Sequence, residues 1–167
     1  MAKEAKTNAL RMLDRQKIPY EIIRYECSEF TDGVHAARIT GTPAEQNYKT
    51  LVTAGKSGQH YVCVIPVAEE IDLKAAARLA GEKTLEMIHV KELLPLTGYV
   101  RGGCSPIGMK KAFPVLADES VRKWDRVYIS GGRIGLSVCL QPEDLLMVTG
   151  AVTGDITKKL FNGGEMC

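Results

Sequence analysis

A glycine-rich segment, residues 99–111, is the part of this sequence best suited to chemistry. Gly102, Gly103 and Gly108 allow backbone conformations with positive φ and let the chain approach a ligand closely, and Pro106 stiffens the turn. Successive N–H groups in such a loop can converge on an anion or a polarised carbonyl. The segment matches neither the phosphate loop GxxxxGK[ST] nor the dinucleotide fingerprint GxGxxG. It therefore indicates either a backbone-lined binding site or an ordinary tight connection.

Lys49 is the second candidate, because it lies in a predicted strand of otherwise apolar or small residues. Strand alternation places it on the same face as Leu51 and Thr53. A lysine on an apolar face is costly unless it is paired, so a semi-buried ammonium there could clamp an anion or a carbonyl. The alternative is that Lys49 faces solvent while the intervening residues face the core.

Cys104, inside the glycine-rich loop, is a candidate nucleophile, but a catalytic thiol needs a base or a positive environment. His35, His60 and His89 are isolated in the sequence, and none is adjacent to Cys104. A packed cysteine is therefore the favoured interpretation. The histidines and the scattered acids form no ligand pattern of a metal site, so we expect neither a metal nor a cofactor.

The composition is that of an ordinary globular protein: 45% of the 167 residues are hydrophobic, 25% are charged, and the net charge is +2. We expect one domain over residues 1–157 and a frayed tail over residues 158–167. No apolar run approaches the ~20 residues of a membrane span. The charged N-terminus does not resemble a signal peptide, and the odd cysteine count contains no CxxC pair, which together indicate reduced thiols in the cytoplasm.

The small net charge argues against strong nonspecific attraction to nucleic acid. Basic residues do gather locally, at Lys110, Lys111, Arg122, Lys123, Arg126, Lys158 and Lys159. This clustering indicates either a solvated face or a modest RNA contact near the glycine-rich loop.

Apolar spacing and capping residues predict helices over residues 8–16, 34–39, 73–80 and 142–147, with a helical turn over 91–94 before Pro95. Thr42 to Glu45 reads as a capping box that starts one more short helix. The β-rich runs predict strands over residues 20–25, 48–54, 60–65, 85–88, 114–117, 126–130, 134–140 and 151–156.

Two hairpins are expected among these strands, the first around residues 55–58 and the second around Gly131 and Gly132. Glycines at the second turn would let a ligand approach the backbone beside the Ser130 hydroxyl, although a simple tight turn is the commoner case. Two hairpins among irregularly spaced helices do not make a regular βαβ alternation. The predicted fold is α+β: a mixed, largely antiparallel, barrel-like sheet surrounded by helices.

Four segments in this order also carry a family resemblance: residues 7–13 with 18–20, residues 46–52, residues 98–111, and residues 127–132 with 135–136. They span most of the chain, and the third contains a GxxxP pattern from Gly102 to Pro106. Together they resemble the YbaK/EbsC family of aminoacyl-tRNA deacylases. The resemblance implies a barrel-like sheet with surrounding helices, a fold that bacterial prolyl-tRNA synthetases carry as an inserted editing domain.

The activity that the resemblance implies is removal of a wrongly attached amino acid from tRNA, chiefly from Cys-tRNA(Pro) and also from Cys-tRNA(Cys). The implied partners are the acceptor end of aminoacyl-tRNA and prolyl-tRNA synthetase in a ternary complex. Lys49 matches the family's essential lysine, and Gly102 and Gly103 join it as the implied catalytic residues. The implied substrate-binding residues are Tyr20, Phe30, Thr50, Cys104, Ser105, Pro106, Ser130 and Gly131. Ser137 and Cys139 depart from the more acidic strand associated with the family, which bears on substrate preference.

An aminoacyl ester is already activated, so its cleavage needs placement and carbonyl polarisation more than a strong protein nucleophile. The N–H groups of residues 102–106 would polarise the carbonyl, and Lys49 would hold the carbonyl, the sugar or the phosphate of the terminal adenosine. The resemblance implies that the thiol of the substrate attacks its own ester.

Three alternatives remain at this point. The chain could be a sibling deacylase for another substrate such as Ala-tRNA(Pro), or a binding module that kept the fold without catalysis. It could also be a thiol-dependent acyl hydrolase that uses Cys104, in which case a histidine should lie within hydrogen-bonding reach of the sulfur.

Overall fold

The computed structural model describes residues 5–26 and 33–158, and the elements below lie within those ranges. The helices are α1 Asn8–Arg15, α2 Gly33–Thr40, α3 Leu73–Ala80, α4 Val90–Thr97 and α5 Pro142–Thr149. The strands are β1 Glu21–Arg24, β2 Tyr48–Gly55, β3 His60–Pro66, β4 Leu85–Met87, β5 Val115–Asp118, β6 Val127–Arg133, β7 Leu136–Leu140 and β8 Val152–Gly154. Short 3₁₀ helices cover Ala44–Gln46 and Glu119–Lys123.

The described strands form two sheets. The larger has the order β4-β2-β3-β5-β8, and its β3–β5 and β5–β8 pairs are parallel. The smaller, β1-β7-β6, is antiparallel throughout. A parallel bridge between Asn47 and Tyr128 links the two sheets at the start of β2. The predicted α+β class with a mixed, largely antiparallel sheet and surrounding helices is confirmed, although the strands divide into two sheets and do not close one barrel.

Strand β3 separates two hydrophobic cores. Val62 and Val64 belong to the larger core, which joins both sheets and α1, whereas Cys63 and Ile65 belong to a smaller core under α3. All four are fully buried, as expected for a central strand covered on both faces. Burial of each large aliphatic side chain contributes roughly 1.5–3 kcal/mol, so the strands that carry the candidate site rest on a rigid base.

Two helix predictions are confirmed by their caps. Thr7 caps α1 by accepting a hydrogen bond from the Leu10 N–H at 3.2 Å, and Asp72 caps α3 through the Ala75 N–H at 3.0 Å. Gly81 ends α3 in the left-handed region at φ +78°. Thr7 also donates to the Gly131 carbonyl at 2.5 Å and so ties α1 to β6.

The very short helix predicted after Thr42 is present as the 3₁₀ helix Ala44–Gln46, but the predicted capping box is wrong. The residue before the 3₁₀ helix is Pro43, which makes no side-chain cap. The Thr42 hydroxyl instead lies 2.8 Å from the hydroxyl of Thr40 and accepts a hydrogen bond from Asn47 Nδ2 at 2.9 Å. Thr42 therefore fixes the entry to β2 and not a helix start.

Pro95 does not stop α4, which continues to Thr97 and ends at Gly98 with φ +84°. Proline removes one backbone donor. Pro95 is exposed to solvent, however, while Leu93 and Leu96 of the same short helix pack against the larger core. The Thr97 hydroxyl donates to the Leu93 carbonyl at 2.8 Å and supports the last turn. Core packing thus outweighs the missing hydrogen bond.

The turn of the second hairpin was predicted three residues too early. Ile134 and Gly135 make the turn, whereas Gly131 and Gly132 lie inside β6 as a bulge between the Ser130 and Arg133 pairings. At the other end of the chain, Lys158 is tied to Glu70 by a backbone hydrogen bond of 2.9 Å. Residues 159–167 of the predicted tail lie outside the described residues.

Candidate active site

A cavity of about 290 Å³ opens where the two sheets meet. Its described walls are the start of β2, the glycine-rich loop, strands β6 and β7, helix α2, and the residues that flank β1 and β3. The lining residues are Tyr25, Gly33, Ala36, Asn47, Tyr48, Lys49, Thr50, Leu51, Val67, Arg101, Gly102, Cys104, Tyr128, Ile129, Ser130 and Ser137. Five predicted site residues, Lys49, Thr50, Gly102, Cys104 and Ser130, therefore line one cavity.

The charge in this lining comes from Lys49 and Arg101, and the part of the chain that the structure describes adds no Asp or Glu to it. Lys49 stands on β2 opposite Ile65 and is half-buried. The surrounding side chains are mostly hydroxyl or apolar groups. A half-buried cation in such a lining favours a ligand that carries a partial or full negative charge.

The loop enters the cavity through a tight turn. The Gly103 N–H donates to the Val100 carbonyl at 2.9 Å, and Gly102, with φ +86°, occupies the third position of this turn. An ideal Cβ on Gly103 would lie 2.9 Å from the Ile134 nitrogen, so the loop backbone packs directly on the β6–β7 turn. Gly103 is not a lining residue; it holds Gly102 and Cys104 at the cavity wall.

The end of the loop is buried scaffold. Ser105 is fully buried, and its Oγ accepts the Ile107 N–H at 3.2 Å. The Tyr99 hydroxyl donates to the Ile107 carbonyl at 2.6 Å, and Pro106 is buried as well. The structure places Ser105 and Pro106, both predicted to bind substrate, behind the cavity wall.

Cys104 reaches the cavity wall but has an unreactive thiol. Burial raises its pKa to about 12, and a hydrogen bond with Thr97 offsets only part of this shift. Thr97 is itself fully buried, and none of the three histidines lies among the lining residues. A thiol with such a pKa is protonated at neutral pH and is a poor nucleophile.

Ser130 and Ser137 pair directly across β6 and β7 and both line the cavity. The Ser130 Oγ accepts the Gly132 N–H at 3.1 Å, which stabilises the bulge. Gly131 is buried, and an ideal Cβ on it would lie 2.8 Å from the Leu136 side chain. Gly131, predicted to bind substrate, therefore packs inward while Ser130 faces the cavity.

Thr50 carries a buried polar atom with an unused hydrogen-bonding capacity. Its Oγ1 has no hydrogen-bond partner among the described residues, although Thr50 lines the cavity. Buried hydroxyl groups are nearly always hydrogen-bonded. A ligand group in the cavity would satisfy this one.

Tyr20 lies away from the cavity lining. Its hydroxyl donates to Asp14 at 2.8 Å, and Asp14 also binds the Lys6 ammonium. Burial and the Asp14 carboxylate raise the pKa of Tyr20. Phe30, the other aromatic residue predicted for the pocket, lies outside the described residues.

The predicted site left out Asn47, Arg101 and Tyr128, which line the cavity, and Ser137 was predicted only to bear on substrate preference. Arg101 directly precedes Gly102, and Asn47 lies two residues before Lys49, so proximity in sequence could have indicated both. Tyr128 reaches the cavity because β6 meets the start of β2 at the Asn47 bridge. That pairing joins distant segments, and no local pattern reveals it.

Among the described residues, no group of three or more His, Cys, Asp or Glu side chains could hold a metal ion. No helix in the same part of the chain is long and apolar enough to cross a membrane.

Comparison with known proteins agrees with this geometry. Residues 30–148, more than half of the chain, match the family described as the aminoacyl-tRNA editing domain. A curated relative from Enterococcus faecalis, "Putative Cys-tRNA(Pro)/Cys-tRNA(Cys) deacylase EbsC", is 40% identical over 157 residues, which cover 93% of this chain and 96% of the relative.

Two solved structures share the fold. One is described as "a putative trans-editing enzyme for prolyl tRNA synthetase"; it superposes with a TM-score of 0.81 at 27% identity and covers 93% of this chain and all of its own. The other, a hypothetical protein, superposes with a TM-score of 0.82 at 24% identity over 90% of this chain and 99% of its own, and it supports the fold alone. The resemblance inferred from sequence is confirmed.

Proposed function

This chain belongs to the aminoacyl-tRNA editing domain family, and we propose that it deacylates Cys-tRNA(Pro) and Cys-tRNA(Cys). The relative that is 40% identical over nearly its whole length is named for these two substrates. The observation that carries the proposal is the meeting of Lys49, Thr50, Gly102 and Ser130 around one cavity. These residues combine a cation, backbone donors and hydroxyl groups around one small space, and fixed donors of this kind stabilise the charge that develops when an ester is cleaved.

The cavity suits a small acyl group. Its volume of about 290 Å³ lies at the lower end of ligand pockets, which span about 300–1,000 Å³. The hydroxyl groups of Thr50, Ser130 and Ser137 offer hydrogen bonds to a short polar side chain or to the amino group. Thr50 Oγ1 is the site of choice for such a contact, because it has no partner within the described residues.

The loop would stabilise the developing oxyanion. The Gly103 N–H is already used in the turn, so we assign carbonyl polarisation to the N–H groups of Gly102 and Cys104, which both line the cavity. Gly103 serves as the positioning residue for these donors. Lys49 adds positive charge beside the ester, and donors of this kind are effective because they are fixed before the reaction starts.

The nucleophile would come from the substrate. The cysteinyl thiol loses its proton, and the sulfur forms a bond to the ester carbonyl carbon. The tetrahedral intermediate collapses with cleavage of the bond to the ribose oxygen, which takes up a proton. Water then opens the resulting thiolactone and releases cysteine. A free thiol has a pKa of about 8.5, and positive charge from Lys49 would increase the fraction of the substrate thiol that is ionised near neutral pH.

The protein's own thiol does not fit this role. The pKa of about 12 and the burial of Cys104 disfavour a thiol-dependent acyl hydrolase. The intact Lys49 and loop also argue against a module that only binds.

The partner and the location are part of the same proposal. Editing in trans must compete with delivery of the charged tRNA to the ribosome, so we propose that the chain acts in the cytoplasm beside prolyl-tRNA synthetase. The structure described as a trans-editing enzyme for that synthetase supports this assignment.

The decisive experiment measures deacylation of purified Cys-, Ala- and Pro-tRNA(Pro) and of Cys-tRNA(Cys). We expect rapid loss of cysteine from both tRNAs, with alanine and proline much slower. The Lys49→Met variant should be inactive yet as stable as the parent, because it keeps most of the aliphatic stem. Lys56→Met is the matched control, since Lys56 is exposed at the far end of the same hairpin.

Preferential clearance of Ala-tRNA(Pro) would make the chain a sibling deacylase and overturn the proposed substrate. No clearance of any of the four by the folded protein would overturn the activity. Full activity of Lys49→Met would remove Lys49 from the site.

A further inference from the structure

The two cations of the cavity differ in depth. Lys49 is half-buried on β2, whereas Arg101 lines the cavity and is exposed to solvent. Thr50 Oγ1 is fully buried. Arg101, the exposed member of the pair, therefore marks the solvent side, or mouth, of the cavity, and the buried hydroxyl group of Thr50 marks its interior.

The position of Arg101 is set by a rigid turn. Arg101 is the second residue of the turn that the Gly103 N–H closes onto Val100 at 2.9 Å, with Gly102 in the left-handed conformation that a type II turn requires. Gly103 packs on the backbone of Ile134, which fixes the far side of the turn. The guanidinium therefore starts from a defined point at the rim.

The positions of the ester and the phosphate on an aminoacyl nucleotide match this arrangement of the cavity. Its acyl ester is attached at the 3′ side of the ribose and its phosphate at the 5′ side, so an ester inside the cavity leaves the phosphate near the mouth. The planar guanidinium has five N–H donors and matches the oxygens of a phosphate in pairs. Lysine is a point charge without this fit.

We propose that Arg101 binds the 5′-phosphate of the terminal nucleotide and thereby orients the acyl ester toward Lys49 and Gly102. The proposal rests on the proposed function, since it assumes an acyl group carried on a nucleotide. The phosphate does not change during the reaction, so Arg101 contributes binding to the ground state and the transition state alike. Its loss should appear in affinity and KM.

Two stable analogues test this assignment without requiring catalysis. They are the seryl amide of 3′-amino-3′-deoxyadenosine and the same compound with a 5′-phosphate. Dissociation constants are measured by calorimetry for the parent protein, Arg101→Ala, Arg101→Lys and the control Lys111→Ala. Lys111 is an exposed cation of the same loop and is not among the lining residues. Its Nζ lies 5.8 Å from the centroid of the Phe113 ring.

We expect the parent protein to bind the phosphorylated analogue at least about tenfold more tightly, the size of a charged hydrogen bond. Arg101→Ala should abolish this preference, Arg101→Lys should keep part of it, and Lys111→Ala should keep it in full. Arg101→Gln, which keeps part of the aliphatic stem and a polar end without the charge, replaces Arg101→Ala if the latter is unstable.

Three results would overturn the assignment. The first is that the parent protein shows no preference for the phosphorylated analogue, or binds neither analogue. The second is that the preference survives in Arg101→Ala. The third is that Arg101→Ala loses the same affinity for both analogues. A phosphate preference that depends on Arg101 in a protein that deacylates no tRNA would reject the proposed function and retain this one. Deacylation of tRNA without such a preference would retain the proposed function and reject the assignment of Arg101.

Discussion

Gly103 packs so closely on the β6–β7 turn that an ideal Cβ would lie 2.9 Å from the backbone nitrogen of Ile134 and 3.0 Å from the carbonyl carbon of Arg133. Contacts this short with backbone atoms cannot be relieved by a side-chain rotation. The glycine-rich loop therefore owes its place at the cavity to a glycine that is not itself in the lining.

Gly103→Ala should displace the loop and misplace the donors of Gly102 and Cys104. Displacements near 1 Å at a catalytic group can cost on the order of 10²-fold in rate, and overpacking costs typically 1–3 kcal/mol of stability. Deacylation kinetics and thermal unfolding would measure both effects. Gly154→Ala is the control, because the nearest contacts of its Cβ, from 3.0 Å, would be with the flexible Leu79 side chain. Normal kcat in Gly103→Ala would show that the loop position is not critical.

Gly102→Ala should lower kcat by roughly 10²-fold, the loss seen when one oxyanion donor is removed. An alanine at φ +86° is strained by about 1–2 kcal/mol and will shift the turn. Gly81→Ala carries the same backbone strain at φ +78°, with open space around it and no place in the cavity lining. Gly81→Ala should lose stability while keeping its rate per folded molecule. A change in KM alone for Gly102→Ala would make the loop a binding feature.

Cys104 should be dispensable for catalysis. With a pKa of about 12, only about 10⁻⁴ of this thiol is ionised at pH 8, so iodoacetamide should label it far more slowly in the folded protein than in urea. Cys104→Ser should retain most of the deacylation activity. A folded but inactive Cys104→Ser variant would instead favour the protein thiol as nucleophile.

The raised pKa of Cys104 should also make the free energy of unfolding depend on pH. Burial raises its pKa from the ordinary value of 9 to about 12 in the folded protein, so above pH 9 the unfolded chain binds fewer protons than the folded chain. Stability from this group is fully present below pH 9 and is lost as the pH rises toward 12. The free energy of unfolding should therefore fall more steeply over this range than in Cys104→Ala. Parallel pH profiles for the two proteins would contradict the raised pKa.

Features set by neighbouring residues could be predicted from the sequence. Thr7 and Asp72 cap their helices through N–H groups three residues ahead, and such contacts leave a local signature. Lys49 and Gly102 were identified by an unusual charge in an apolar strand and by glycine spacing, and both line the cavity.

Features that depend on distant segments could not be predicted in the same way. Gly131 and Gly132 read as a turn, but the hydrogen bond from Thr7, more than a hundred residues away, holds the Gly131 carbonyl in a bulge. The roles of Gly103 and Tyr128 likewise depend on packing between β6 and other parts of the chain.

If the substrate supplies its own nucleophile, Cys-tRNA(Pro) should be deacylated much faster than Ser-tRNA(Pro). Serine and cysteine are nearly isosteric, so the cavity should admit both, but a hydroxyl cannot supply the attacking anion near neutral pH. We predict that cysteine is released at least about 10²-fold faster than serine, at a rate that rises with pH toward the thiol pKa of about 8.5. Equal rates of release from the two tRNAs, with the same pH dependence, would contradict attack by the substrate thiol.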